Sequence, residues 1–136
     1  MTGHERGWSP DDASPEFWSI IEKAGRDRSK LRELLATLDR EQLIGFYRDF
    51  RAAAEALTSS EHLDALGDDA TEDDVDDITR WSVAQGERFF RNVYEHPEKM
   101  PTRIEPHSKA HFYDEILTVF YERFGEELWV ASQRKP

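Results

Sequence analysis

Between Thr71 and Glu95 the chain runs TEDDVDDITRWSVAQGERFFRNVYE, a stretch with a helix start, a long apolar stripe and a hard stop. The Thr71 hydroxyl is placed to accept from the amide of Asp74. Glu72, Asp73 and Asp74 put negative charge in the first turn, where it complements the positive end of a helix dipole. Val75, Ile78, Ser82, Gln85, Phe89 and Val93 recur at spacings of three and four, with Trp81, Phe90 and Tyr94 widening the stripe. Pro97 cannot continue a helix and biases His96 away from helical geometry. The pattern predicts one helix ending at Glu95, about 37 Å long at ~1.5 Å per residue. A small domain can be assembled around such a rod.

The flanking segments carry the same kind of signal. Ser14 followed by Pro15 is a cap with proline at the first helical position, then Phe17, Trp18, Ile20, Ile21 and Ala24 precede Gly25. Asp27 caps a second helix carrying Leu31, Leu34, Leu35 and Leu38. Asp39, with Gln42 three residues on, opens a third. Its face is Leu43, Ile44, Phe46, Tyr47, Phe50 and Leu57, despite Gly45, and its end falls near Leu57 to Ser59. Ser60 caps a turn or two with Leu63 and Leu66 before Gly67 and an acidic loop. After the long helix, Pro97, Pro101 and Pro106 mark an extended connection. Ser108 then opens a last helix with Phe112, Ile116, Val119, Phe120, Phe124, Leu128 and Trp129 on its face, and Gly125 is placed to break or kink it. No strand alternation or internal repeat is evident. The expectation is an all-α fold: a single compact helical bundle of about five helices. Residues 1–13 form a short flexible N-terminal arm, 14–132 the helical domain and 133–136 a frayed C-terminus.

Composition narrows the function. A chain of 136 residues is enough for one domain with a real core. With no cysteine there are no disulfides, no thiolate chemistry and no Cys-rich zinc module, which favours a reducing compartment. No apolar run is long enough for a membrane span, and the start MTGHERGWSPDD lacks a signal-peptide pattern. The protein is therefore expected to be soluble and cytoplasmic. Eighteen Lys and Arg against 29 Asp and Glu give a net charge of −11, which repels phosphate backbones and anionic lipid. Direct nucleic-acid binding and membrane binding are disfavoured, with Arg134 and Lys135 a small basic exception.

Several short motifs carry a family resemblance. The order Phe17-Trp18-x-x-Ile21, a Leu-rich helix, Leu43-Ile44-x-Phe46, then Thr71-Glu72-Asp73 ahead of Trp81-x-x-Ala84-Gln85-Gly86, resembles a bacterial family catalogued as domain of unknown function 4240. The resemblance covers roughly residues 16 to 101 and includes His96-Pro97-Glu98, where that family tends to have Asn-Pro-Asp. It departs at Ser60 to Asp69, where an aromatic, Gly-Gly-containing run is usual, and at Arg80, where glycine is favoured. The resemblance implies an α-helical fold and a bacterial source, and it supplies no agreed activity.

Three constellations are candidates for chemistry. The acids Asp68, Asp69, Glu72, Asp73, Asp74, Asp76 and Asp77 are numerous enough to hold a divalent cation, but the EF-hand spacing is absent. A helix start with a solvated acidic face, or a docking patch for a basic partner, accounts for them as well. His107 and His111, four apart with Asp114 and Glu115 nearby, have a spacing that transition metals use, without the central glutamate of a metalloprotease helix. His62 and His96 add ligands only if the fold converges them. Gln85 and Gly86 interrupt the apolar stripe, with Arg80, Arg88 and Trp81 near. They suit a polar pocket for an anion or a partner's backbone, or else a buried hydrogen bond with close helix approach. No nucleophile elbow, phosphate-binding glycine loop or dinucleotide fingerprint is present.

The first functional reading is thus a non-enzymatic, acidic protein-interaction module of regulatory, immunity or antitoxin-like type, without a cofactor. Its partner would be a protein, basic in character, contacted by Asp68, Asp69, Asp73, Asp74, Asp77, Arg80, Trp81 and Gln85. A homo-oligomer is compatible with this. The alternative is a metal-binding protein or metal-dependent hydrolase using His107, His111, Asp114 and Glu115 around a divalent metal.

Overall fold

The computed structural model describes residues 8–104 and 111–133. Among these there is no strand, and the fold is all-helical. A 3-10 turn at Pro10–Asp12 precedes α1 (Pro15–Ala24), α2 (Arg28–Leu35), α3 (Arg40–Glu55) and α4 (Ser60–Leu66). Then come α5 (Glu72–Ala84), α6 (Glu87–Glu95), a 3-10 turn at Pro97–Lys99, α7 (Tyr113–Phe124) and α8 (Leu128–Ala131).

The helix starts are made by the residues whose side chains suit them. Ser14 Oγ accepts from the Phe17 amide at 3.2 Å, and Asp27 accepts from Ser29 and Lys30. Asp39 and Gln42 cap each other's backbone amides, as do Thr71 and Asp74 at 3.1 and 2.9 Å. Each satisfies amides that the helix leaves without an internal partner. At α4 the cap is Ser59 rather than Ser60: its Oγ accepts from the His62 amide, and Ser60 becomes the first helical residue.

The predicted rod from Thr71 to Glu95 is two helices, not one. The chain breaks at Gly86, whose φ of +113° lies in the region that favours glycine. The carboxylate of Glu22 on α1 comes up against this point and accepts from the Glu87 amide at 2.9 Å, doing for α6 what a side-chain cap does elsewhere. A Cβ on Gly86 would meet Glu22 Oε2 at 2.7 Å. The break also rotates the stripe: Phe90 and Val93 are fully buried in α6 while Phe89 is only half-buried. The last helix divides in the same way at Gly125 (φ +66°), which closes α7 before α8 begins. These two breaks and the short α4 raise the expected count of about five helices to eight α-helices among the described residues. The expected start at Ser108 lies outside them.

At the centre is α3, which packs against α1, α5, α7 and α8. Leu43, Tyr47, Phe50 and Ala53 from α3 and Leu57 just beyond it are buried to within 1%. Phe17 meets Phe46 and Phe50, with ring centroids 5.0 and 6.4 Å apart. Around this core α2 and α7 are laced by Arg32, which bonds Glu115 at 2.8 Å and also pairs with Glu122. Arg40 forks onto Glu126 at 2.8 and 3.0 Å.

Residues 8–13, expected as part of a free arm, lie against this core. Trp8 meets Phe90 edge-on at 5.9 Å, Asp11 pairs with Arg91 at 2.6 Å, and Pro10 and Ala13 are buried. Residues 1–7 and 134–136 are outside the described part.

Gly86→Ala is expected to lose about 1 to 3 kcal/mol of stability in urea denaturation, from the strained φ together with the blocked approach of Glu22. Glu22→Ala, which removes only the cap, is expected to lose about 1 kcal/mol. A Gly86→Ala protein as stable as the wild type would contradict the described junction.

Candidate functional site

Helix α5 presents two kinds of chemistry. On the outer side Asp73, Asp77 and Trp81 follow at steps of four residues and so share one strip. The aspartates are exposed; Trp81 is half-buried, edge-on to Phe89 at 5.6 Å. The loop before the helix adds exposed Asp68 and Asp69. Asp69, Asp74 and Asp77 line a cleft of about 520 Å³ with Leu66, Ile78, Ile104, Arg103 and His111. Among the described residues Asp68, Asp69, Glu72, Asp73 and Asp77 lie within 4.0 Å of no Lys, Arg or His nitrogen. Asp74 is engaged in the Thr71 cap, and Asp76 approaches Arg80 at 3.9 Å.

Gln85 caps α5 and donates to the Trp81 carbonyl at 3.2 Å, half-buried at the junction with α6. Gly86 is the point of close approach, filled by Glu22. Arg88 is exposed on α6. Arg80, three residues on from Asp77 and beside the strip, reaches toward α7, with its guanidinium 3.7 Å from the centre of the Tyr113 ring.

That side holds residues the sequence reading did not single out. The Tyr47 and Tyr113 hydroxyls are 3.2 Å apart, and Arg51 sits over the Tyr47 ring at 5.8 Å. Arg51 and Arg80 line one cleft of about 180 Å³ with Tyr113. Burial, then the hydroxyl contact with Tyr113, pushes the Tyr47 phenol up to about 12. The signal available in the sequence is local: Tyr47 and Arg51 are four residues apart on a helix, a spacing that brings side chains together.

Three of the four candidate metal ligands fall within the described residues. Glu115 is bonded to Arg32 at 2.8 Å on the α2 side of α7, Asp114 is exposed, and His111 lines the acidic cleft. His107 lies outside the described residues. Among the described residues no group of three or more His, Asp or Glu is placed to hold a metal ion. His62 is buried and engaged at both ring nitrogens, with Nε2 donating to the Val93 carbonyl at 2.9 Å and Nδ1 against Ser59 Oγ at 2.6 Å. It pins α4 to α6. His96 is 3.7 Å from Glu98 at the surface. No helix among the described residues is long and apolar enough to cross a membrane.

These surfaces define an all-helical domain with an acidic helix face on α5 and a tyrosine–arginine cluster beside it. A family model described as Protein of unknown function (DUF4240) matches residues 13–126, and the chain belongs to that family. The match runs from just before the α1 cap to just past α7, so it contains both surfaces. No curated protein and no solved structure gives a significant match.

The raised Tyr47 phenol has a testable sign. The unfolded chain releases this proton near pH 10, the folded protein only near pH 12. Between those values the folded state binds more protons, so stability falls as pH rises and is unaffected by this group below pH 10. Urea denaturation at pH 9, 10 and 11 is expected to show a steeper loss in the wild type than in Tyr47→Phe. Equal slopes would show that the phenol is not held in this way.

Proposed function

We propose that this domain is a non-enzymatic protein-interaction module whose acidic α5 face docks a basic segment of a partner, as a regulatory, immunity or antitoxin-like protein would. The observation that carries this reading is that Asp68, Asp69, Glu72, Asp73 and Asp77 have no cationic partner within 4.0 Å among the described residues, next to a half-buried indole. Uncompensated charge on a surface is a cost to the folded chain unless a ligand relieves it, and charge of one sign speeds the encounter with its opposite. Trp81 adds an amphipathic anchor of the kind that concentrates binding energy at interfaces. The neighbouring cleft suits a lysine or arginine from the partner. Leu66, Ile78 and Ile104 would cover the methylene stem, and Asp69, Asp74 and Asp77 outnumber the one arginine, Arg103, on its lip.

Capture of partners on the immobilised protein from its own cell extract, with Asp73→Asn/Asp77→Asn as comparison, tests this. A basic protein retained stoichiometrically by the wild type, and reduced about tenfold by the double variant and by high salt, is expected. Retention indifferent to both would overturn the reading. Trp81→Ala should lower stability by less than the about 3 to 5 kcal/mol typical of a fully buried aromatic, because Trp81 is half-buried. It should also weaken capture. A loss in the full range with unchanged capture would return Trp81 to the core. Metal content of the same preparation tests the second reading, a His/carboxylate metal protein: stoichiometric zinc or manganese without a partner would favour it.

A further inference from the structure

The contrast among the arginines points to a second site. Arg32, Arg40 and Arg91 are each bonded to carboxylates at 2.6 to 2.9 Å. The two that line the cleft between α3, α5 and the start of α7 are not. Arg80 reaches Asp76 only at 3.9 Å, and Arg51 has no carboxylate within 4.0 Å among the described residues. Their nearest partners are tyrosines: Arg80 lies over the Tyr113 ring at 3.7 Å, and Arg51, itself exposed, lies 5.8 Å from the Tyr47 ring centre and hydrogen-bonds that side chain, with the two tyrosine hydroxyls in contact at 3.2 Å.

A guanidinium carries five N–H donors, so one that lies over a ring, as Arg80 does, or that uses a donor on a tyrosine, as Arg51 does, keeps others to offer a ligand. The contact of Arg80 with Tyr113 also limits its side-chain freedom before binding, so less ordering cost falls on the complex. Two such groups beside one cleft form a clasp for negatively charged oxygen, the geometry at which arginine exceeds lysine. The cleft is about 180 Å³, below the roughly 300 to 1,000 Å³ of sites for drug-sized molecules, so the bound group is small. Glu55 and Asp76 also line it. Their charge opposes a second negative charge on the ligand and favours a monoanion. Thr58 adds a hydroxyl at the rim.

We propose that this cleft binds a small monoanionic carboxylate between the guanidinium groups of Arg51 and Arg80. The site adjoins the acidic strip at Asp76 and stands whether or not that strip docks a partner.

Arginine side-chain Nε–Hε resonances are the direct readout. Titration with sodium acetate against sodium chloride at matched ionic strength is expected to move those of Arg51 and Arg80 saturably. Inorganic phosphate should bind more weakly. Arg51→Gln and Arg80→Gln are each expected to weaken acetate binding about tenfold or more, the scale of a charge-assisted hydrogen bond. Arg88→Gln removes the same charge from exposed α6 and should leave it unchanged. Should Arg80→Gln fail to fold, Arg80→Lys keeps the charge while losing the planar fork, and is expected to show a comparable loss. Shifts that match the chloride control, or an equal loss in Arg88→Gln, would overturn the site. Tighter binding of phosphate than acetate would overturn its selectivity.

Discussion

Burial of one face of α3 is the interaction on which the rest depends. Leu43, Tyr47, Phe50, Ala53 and Leu57 are all removed from water, and α1, α5, α7 and α8 each pack on that helix. At roughly 1.5 to 3 kcal/mol for each large apolar side chain buried, no ion pair on this surface competes with it. Surface pairs such as Arg32–Glu115 stand in water, which screens them, and contribute little beside it. They choose how α2 lies against α7 rather than whether the domain folds.

From that arrangement comes the separation of chemistry on α5. Ile78, Ser82 and Val83 are committed to the core, so the surface chemistry falls to the remaining positions. Asp73, Asp77 and Trp81 face outward together; Arg80 turns back toward Tyr113 at the start of α7. Arg51 and Tyr47 come from α3 itself, so the arginine cleft is assembled by the same packing that forms the core. A carboxylate strip and Arg80 thus sit on one helix, and among the described residues the ion pair between its acids and Arg80 is with Asp76 at 3.9 Å.

Local signals were the legible part of the sequence. Ser14, Asp27, Asp39 and Thr71 cap as their spacing predicts because those bonds close within three residues. The division at Gly86 was not legible as a break. Apolar spacing continues across it, and what holds the junction is Glu22, 65 positions away in sequence. The burial of His62 between Ser59 and Val93 has the same character, because half of its partners come from another helix. For the candidate site, the acidic strip follows from helical periodicity alone. The placing of Arg51 and Arg80 on one cleft required α3 and α5 to be neighbours, which no periodicity states.

The most direct measurement of the central claim is native-state hydrogen exchange along α3. The amides from Phe46 to Ala53 are expected to exchange only through global opening, with a free energy equal to that from urea denaturation. Those of the short helices α4 and α8 should open at lower free energy. If the α3 amides instead exchanged more readily than those of α1 and α7, α3 could not be the element on which the others depend.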